Sequence, residues 1–162
     1  TELYRPAKQI GLRRLMETLR PAPNLATAPA NAAGVRRLLR ALHQGQGIGM
    51  LPDQVPANGD GVWAPFFGRP AYTMVLPIRL ARTTKAPIFW VRAIRTAPGW
   101  RMEFESWAPE PEIGAGTIEQ AVLAMNHALE AQILWAPEQY LWPYNRYKIP
   151  RGVLTPEKAR RP

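Results

Sequence analysis

The 162-residue sequence lacks cysteine, has only two histidines, and contains no long apolar run. Without cysteine, disulfide bonds, thiolate nucleophiles and cysteine-ligated zinc are excluded. Neither His43 nor His127 is followed by a second histidine at helical spacing, which argues against a histidine-rich metal centre. The longest apolar stretches, 48–51, 74–78 and 86–91, are far shorter than the roughly 18–20 residues that cross a bilayer. We therefore expect no metal, no other cofactor and no transmembrane segment in this chain.

Acidic side chains are also scarce, with 12 against 21 basic ones and a net charge of +9. The entire excess lies in residues 1–100, because residues 101–162 are nearly neutral. Such a basic field predicts an anionic partner, which could be nucleic acid, an anionic lipid head group, a phosphorylated substrate or an acidic carrier protein. Composition does not choose among these partners, and a solvated basic face with no partner fits equally well.

Length and composition predict one globular domain. At 18.2 kDa and 46% hydrophobic residues, the chain is long enough to bury a real core. We assign residues 1–152 to this domain. Residues 153–162 are polar, basic and proline-containing, and we assign them to a flexible basic tail.

Two helical patterns occur in the first half of the chain. Apolar residues recur at helical spacing over 8–19, and the proline- and alanine-rich stretch 21–30 is predicted to be a loop. A second helix is predicted before the glycines at 45 and 47, on the apolar residues Val35, Leu38, Leu39 and Leu42. Its opposite face carries three arginines that we expect to contact anionic partners: Arg36, Arg37 and Arg40.

The middle of the chain predicts a strand, a loop, a second strand and a helix. Residues 48–51 read as a buried strand that ends in the polar loop Pro52-Asp53-Gln54. Residues 55–61 are predicted to form an exposed turn, and 62–67 a strand. Residues 72–84 are predicted to be helical, with Pro77 either kinking the helix or lying in its first turn.

A hairpin and a long helix are predicted for the second half. Residues 88–96 and 100–107 flank the turn-forming Ala97-Pro98-Gly99 and favour antiparallel pairing. Thr117 and Gln120 form a capping box that begins a helix, and Pro137 ends it. The helix buries one side, composed of Val122, Met125, Leu129 and Ile133. The sequence thus predicts the α/β class, with a mixed β-sheet flanked by helices.

Two features could carry chemistry. Asp53 could orient another catalytic group or hold a ligand hydroxyl, or it could simply cap a turn. The aromatic run over 63–68 could line an apolar slot for an acyl chain, or it could be ordinary core packing. His43 and His127 have no nucleophile signature around them, and we expect both to be solvated on helix surfaces.

Four motifs, in order, carry a resemblance to a known family. They are Tyr4-Arg5-Pro6, then Leu51-Pro52-Asp53-Gln54, then Pro65-Phe66-Phe67-Gly68-Arg69-Pro70-Ala71, and finally Pro137-Glu138-Gln139-Tyr140-Leu141-Trp142 with Asn145-Arg146-Tyr147-Lys148. From about residue 4 to residue 151, the chain resembles the C-terminal half of the bacterial lipid A biosynthesis acyltransferases. These enzymes belong to the lysophospholipid acyltransferase superfamily.

The resemblance implies an incomplete glycerolipid-acyltransferase-like fold and an enzyme that transfers a fatty acyl chain. The donor would be acyl carrier protein or acyl-CoA, and the acceptor a hydroxyl of a lipid A precursor. The family's hallmark is a histidine followed five positions later by Asp or Glu, and the histidine acts as the general base. Here Ile48 follows His43 and Gln132 follows His127 at that distance. We therefore expect a fragment of a longer enzyme that is inactive by itself.

The resemblance also implies roles for individual residues. Arg5 would hold an acidic substrate group or the developing oxyanion, and Asp53 would belong to the same site. Four residues are expected to bind the acceptor or the acyl chain: Gln54, Phe66, Phe67 and Gly68. The expected location is the cytoplasmic face of the inner membrane, with this chain peripheral. The alternatives are a basic nucleic-acid-binding module, which has no recognition motif to support it, and a lipid-docking scaffold without catalysis.

Overall fold

The computed structural model describes residues 1–4, 25–108 and 113–159. It divides the chain into two compact units, Thr1–Leu51 and Pro52–Pro162. The predicted helix over 8–19 and the candidate Arg5 lie outside the described residues.

The first unit pairs two short parallel strands with one helix. Strand β1 (Glu2–Tyr4) pairs in parallel with β2 (Thr27–Pro29), and Gly49 forms a parallel bridge to Glu2 on β1. Strand β2 corrects the predicted loop over 21–30, because its backbone completes the ladder of β1 and its Ala28 is fully buried. Local composition could not reveal this pairing.

Helix α1 (Ala32–His43) confirms the second helical pattern. Asn31 caps it by accepting a hydrogen bond from the Gly34 amide at 3.0 Å. Leu38 and Ala41 are buried, whereas Arg36, Arg37 and Arg40 are exposed. Gly34 lies directly against the backbone of Pro29 at the end of β2, where a Cβ atom would overlap the Pro29 carbonyl.

The buried strand predicted over 48–51 is wrong. Only Gly49 pairs with β1, accepting a hydrogen bond from Leu3 N at 3.1 Å and donating one to Thr1 O at 2.9 Å. Leu51 is largely exposed. Pro52 has no amide hydrogen with which to continue a ladder, so the extended pairing stops before it.

The second unit begins with an antiparallel hairpin. Strand β3 (Gly61–Phe66) pairs with β4 (Arg69–Met74), which confirms the strand predicted over 62–67. Helix α2 (Leu76–Thr84) has Pro77 in its first turn. The predicted helix over 72–84 is therefore wrong at 72–74, since those residues belong to β4 and pair with β3. Within the predicted exposed turn 55–61, Val55 is instead buried.

The second hairpin and the long helix follow the prediction closely. Strands β5 (Ile88–Arg95) and β6 (Trp100–Trp107) pair antiparallel. Helix α3 (Ile118–Trp135) begins with the predicted capping box, in which Thr117 N donates to Gln120 Oε1 at 2.7 Å. The buried side of α3 contains all four predicted core residues: Val122, Met125, Leu129 and Ile133.

Helix α3 organises the core of the second unit. Its first half packs with Ala64 of β3 and with Ile78 of α2, and its second half packs with Phe66 and Ala71 of the β3–β4 hairpin. A 3₁₀ turn (Pro137–Gln139) follows, and a short helix α4 (Pro156–Ala159) lies within the predicted tail. The α/β class is confirmed, with the described strands arranged as three two-stranded sheets.

Candidate functional site

Asp53 lies in the turn that opens the second unit, where it contacts a tyrosine 87 residues later in the chain. The Tyr140 hydroxyl donates to Asp53 Oδ2 at 3.2 Å. Burial, followed by the Asp53 carboxylate, raises the pKa of Tyr140 well above its ordinary value near 10. The phenol therefore stays protonated at neutral pH, and Tyr140 serves as a hydrogen-bond donor rather than a base.

Arg146 is the buried cation of this region, with only 3% of its surface exposed. Its guanidinium donates to the Tyr72 carbonyl at 3.0 Å and to Thr73 Oγ1 at 2.7 Å, and it lies over the Phe66 ring. Burial lowers the pKa of Arg146, and the nearby groups of Tyr140 and Asp53 oppose that shift. An arginine remains charged under these conditions, so a fixed positive charge lies near the Asp53–Tyr140 pair.

Two further tyrosines tie the 137–148 segment to the rest of the second unit. The Tyr144 hydroxyl accepts from Val55 N at 2.9 Å, two residues beyond Asp53. The Tyr147 hydroxyl donates to the Phe66 carbonyl at 2.9 Å. Together with Tyr140 and Arg146, these bonds connect the Asp53 turn, the β3–β4 hairpin and the 137–148 segment in one cluster.

The aromatic run over 63–68 separates into a core residue and a turn residue. Phe66 is 2% exposed and belongs to the core beneath α3. Phe67 and Gly68 form the β3–β4 turn with φ angles of 46° and 70°, and the Phe67 amide donates to Glu130 Oε1 at 2.7 Å. The Phe67 ring contacts both Phe66 and the half-exposed Trp142. Of the two phenylalanines, Phe67 is therefore the one whose ring is accessible.

The other predicted site residues within the described ranges are exposed. Gln54 is exposed beside Asp53. The three α1 arginines are exposed on the first unit, and Arg37 Nη1 donates to the Thr27 carbonyl at 3.3 Å. Because Arg5 lies outside the described residues, its convergence with Asp53 stays a prediction, as do the binding roles assigned to these side chains.

Neither histidine is part of the cluster. His43 ends α1 and His127 lies on α3, and both are exposed, as predicted. Among residues 1–4, 25–108 and 113–159, no three acidic or histidine side chains group closely enough to hold a metal ion. Across the same ranges, every helix is too short or too polar to span a bilayer.

Sequence reasoning gave no individual role to Tyr140, Tyr144 or Arg146. The resemblance included Tyr140 and Arg146 in its fourth motif, but no local pattern indicates their contacts. Tyr140 and Tyr144 contact Asp53 and Val55, which are nearly 90 residues away in sequence. Arg146 contacts Tyr72 and Thr73, which are more than 70 residues away.

Known proteins resemble this chain along most of its length. The family model described as bacterial lipid A biosynthesis acyltransferase matches residues 1–149. The lipid A biosynthesis palmitoleoyltransferase of Escherichia coli (strain K12) is 32% identical over 117 residues, which is 70% of this chain and 37% of that protein. A lipid A biosynthesis acyltransferase of Shigella flexneri matches with the same identity and coverage. The match thus spans little more than a third of these relatives. Since the family model covers nearly the whole chain, the protein belongs to the bacterial lipid A biosynthesis acyltransferase family.

Proposed function

We propose that this chain is the C-terminal part of an acyltransferase that transfers a fatty acyl chain to a hydroxyl of a lipid A precursor. The observation that carries the proposal is the meeting of three family motifs in one cluster of the second unit. Tyr140 of the last motif contacts Asp53 of the second, and Tyr147 contacts Phe66 of the third. Segments more than 80 residues apart are thus held together by side chains of the motifs themselves, as a shared site requires.

The proposed reaction is an acyl transfer from a thioester. A histidine–carboxylate pair, outside this chain, removes the proton of the acceptor hydroxyl, and the resulting oxygen attacks the thioester carbonyl. The tetrahedral oxyanion collapses, the carbon–sulfur bond breaks, and the thiolate of acyl carrier protein or coenzyme A leaves and takes up a proton. In this scheme Arg5 stabilises the oxyanion or an acidic substrate group, and Asp53 orients a catalytic group or holds a substrate hydroxyl.

The cluster supports Asp53 in that role. A carboxylate that orients another group must itself be immobile, and the Tyr140 hydroxyl donates to one oxygen of Asp53 at 3.2 Å. The Tyr144–Val55 hydrogen bond fixes the backbone two residues further along the same loop. Arg146 provides a fixed positive charge near Asp53, and that carboxylate opposes the lowering of the pKa of Arg146 by burial.

Electrostatics support the proposed partners. Lipid A precursors carry phosphates and acyl carrier protein is acidic, so both would be attracted to a chain of net charge +9. The three exposed arginines of α1 would contribute to this attraction. We propose a peripheral location at the cytoplasmic face of the inner membrane, where these substrates meet.

The isolated chain should not transfer acyl groups, because a general base contributes about 10²–10⁴ in rate and neither histidine has a carboxylate at the family spacing. Purified chain would be incubated with acyl carrier protein thioester and lipid A precursor. Turnover that disappears in His43→Ala or His127→Ala would contradict the proposal.

A chimera tests the site itself. This chain would replace the matching part of the Escherichia coli palmitoleoyltransferase, and turnover would be compared for Asp53→Asn and for the control Asp60→Asn. We expect Asp53→Asn to lower kcat/KM by at least about tenfold and the exposed Asp60→Asn to leave it unchanged. Equal kinetics for both variants in an active chimera would reduce the cluster to a structural role.

A further inference from the structure

The β5–β6 hairpin has one face that is largely exposed in the described part of the second unit. In antiparallel pairs Val91 lies opposite Phe104, and Ala93 lies opposite Met102. Phe89 continues the same face, and the four large side chains among these five are each between 50% and 70% exposed. We call Phe89, Val91, Ala93, Met102 and Phe104 the apolar hairpin face.

The opposite face of this hairpin carries its other charged side chains, which pair with one another. Arg92 pairs with Glu103 at 3.1 Å and donates to Gln132 of α3 at 2.7 Å. Glu105 accepts from both Arg92 and Gln132. The acidic side chains of the hairpin are therefore all engaged on the α3 side, and none shares the apolar hairpin face.

The end of the apolar hairpin face nearest the turn carries a different pair. Trp100 lies opposite Arg95, and the guanidinium lies 5.0 Å from the centre of the indole ring. Trp100 is 61% exposed. Tryptophan is favoured at the boundary between lipid and water, and arginine extends its charge toward lipid head groups while its stem remains on apolar surface. The hairpin thus presents apolar side chains bordered by an interfacial aromatic and a cation.

We infer that the apolar hairpin face inserts into the interface of an anionic lipid bilayer, with Arg95 and Trp100 at the level of the head groups. The inference rests on the proposed function, which places the chain at a membrane, and adds the surface that makes the contact. Charge supports a lipid occupant, because the face carries one cation and no anion on a chain of net charge +9.

A second copy of the chain is a less suitable occupant. A stable protein interface buries about 800 Å² from roughly 20–30 residues on each partner, whereas the apolar hairpin face and Trp100 comprise six residues. Two copies of net charge +9 would also repel each other. A bilayer requires neither a complementary surface nor a minimum interface of that size.

The absence of cysteine allows a direct test, because a single introduced cysteine can be labelled selectively. Ser106 lies opposite Phe89 on the uncovered side of the hairpin and is exposed, so Ser106→Cys would carry a polarity-sensitive fluorophore. Thr83→Cys, exposed on α2, is the matched control. With vesicles of phosphatidylglycerol and phosphatidylethanolamine, we expect a blue shift at position 106 and none at 83.

A substitution test separates this contact from electrostatic adsorption. In about 0.5 M salt, where screening limits charge interactions to roughly 4 Å, binding should persist for the wild-type chain. The triple variant Phe89→Thr, Val91→Thr and Phe104→Thr keeps β-propensity and should bind at least about tenfold more weakly. The control removes exposed leucines elsewhere, Leu141→Thr and Leu154→Thr, and should bind normally.

Equal vesicle binding by the triple variant and its control would overturn the inference, and so would the absence of a fluorescence shift at position 106. A fluorescence shift that appears without vesicles as the protein concentration rises would also overturn it. The last would instead identify a second copy of the chain as the occupant. A triple variant that loses vesicle binding in a chimera of otherwise normal kcat would support the surface. Loss of activity in Asp53→Asn with unchanged vesicle binding would test the proposed function separately.

Discussion

The hydrogen bond between Tyr140 and Asp53 is the contact on which the candidate site most depends. It joins a half-buried phenol to a carboxylate. Arg146 lies nearby, and two of its guanidinium nitrogens donate hydrogen bonds to residues of β4. A buried arginine is costly to leave unpaired, so these bonds stabilise the cluster as well as orient it.

Replacing Tyr140 by phenylalanine should lower the free energy of unfolding by about 1 kcal/mol at neutral pH, because one hydrogen bond is lost. The pKa of Tyr140 is raised in the folded state, so the stabilisation is complete below the ordinary value near 10. It falls as pH rises above that value, because the unfolded phenol then loses its proton first. Urea unfolding of both proteins at about pH 8 and about pH 11 would measure this.

The difference in the free energy of unfolding between the wild type and Tyr140→Phe should therefore be smaller at the higher pH. Asp53→Asn provides the matched control, because Tyr140→Phe should cost less in that background. The assigned contact would be contradicted if the stability cost of Tyr140→Phe increased with pH. It would also be contradicted if that cost were the same in the wild-type and Asp53→Asn backgrounds.

At the scale of elements, helix α1 and strand β2 meet backbone to backbone at Gly34. Any Cβ atom there would overlap the Pro29 carbonyl, so the helix would have to move away from the strand. We expect Gly34→Ala to cost at least about 2 kcal/mol despite the higher helix propensity of alanine.

Gly47→Ala is the control, since nothing lies within 4 Å of a Cβ at that position. Hydrogen exchange of the α1 amides would measure the effect within the first unit. Unchanged protection in Gly34→Ala would show that α1 and β2 are not packed as described.

The β3–β4 turn is a second element where the backbone favours a residue other than the one present. Phe67 has a φ of 46°, a conformation that asparagine and glycine adopt more readily. Phe67→Asn gains turn preference and loses ring contacts with Phe66 and Trp142, so the free energy of unfolding should change by less than about 1 kcal/mol. Thermal and urea unfolding would test this.

Phe66→Ala is the contrasting variant and should cost about 3–5 kcal/mol, because its ring is buried beneath α3. If Phe67 binds the acyl chain or the acceptor, Phe67→Asn in the chimera should raise KM while folding is preserved. A large loss of stability in Phe67→Asn would instead assign Phe67 to the core.

At the scale of the whole molecule, the +9 charge predicts binding that depends on salt. Association with anionic vesicles should weaken steeply between low and physiological ionic strength, because exposed basic residues contribute roughly 1 kcal/mol each near an anionic surface. Substituting Arg36, Arg37 and Arg40 by glutamine preserves helix propensity and should remove much of this salt-dependent part.

Vesicle co-sedimentation over a salt series would measure this contribution, with neutral phosphatidylcholine vesicles as the control. The apolar hairpin face should account for the part that persists at high salt. Tighter binding to duplex DNA than to anionic vesicles at equal ionic strength would favour the nucleic-acid-binding alternative.

Elements with a complete local signal were predictable from the sequence. The capping box of Thr117 and Gln120 and the one-sided burial of α3 follow from neighbouring residues, as do the arginines opposite the apolar face of α1. The β5–β6 pairing is likewise local, since three residues separate two β-prone runs. Family membership was also readable, because the motifs are contiguous strings whose order survives without coordinates.

Tertiary structure alone decided the features that depend on distant partners. A short stretch such as 27–29 or 48–51 is compatible with a strand, a loop or a single bridge. Which of these forms depends on the strand partners that the tertiary structure brings next to it. The same limit applies to Arg146, whose burial depends on β4 and on the Phe66 ring. Local propensity fixes periodicity and caps over a few residues, whereas burial and pairing are set by contacts between segments tens of residues apart.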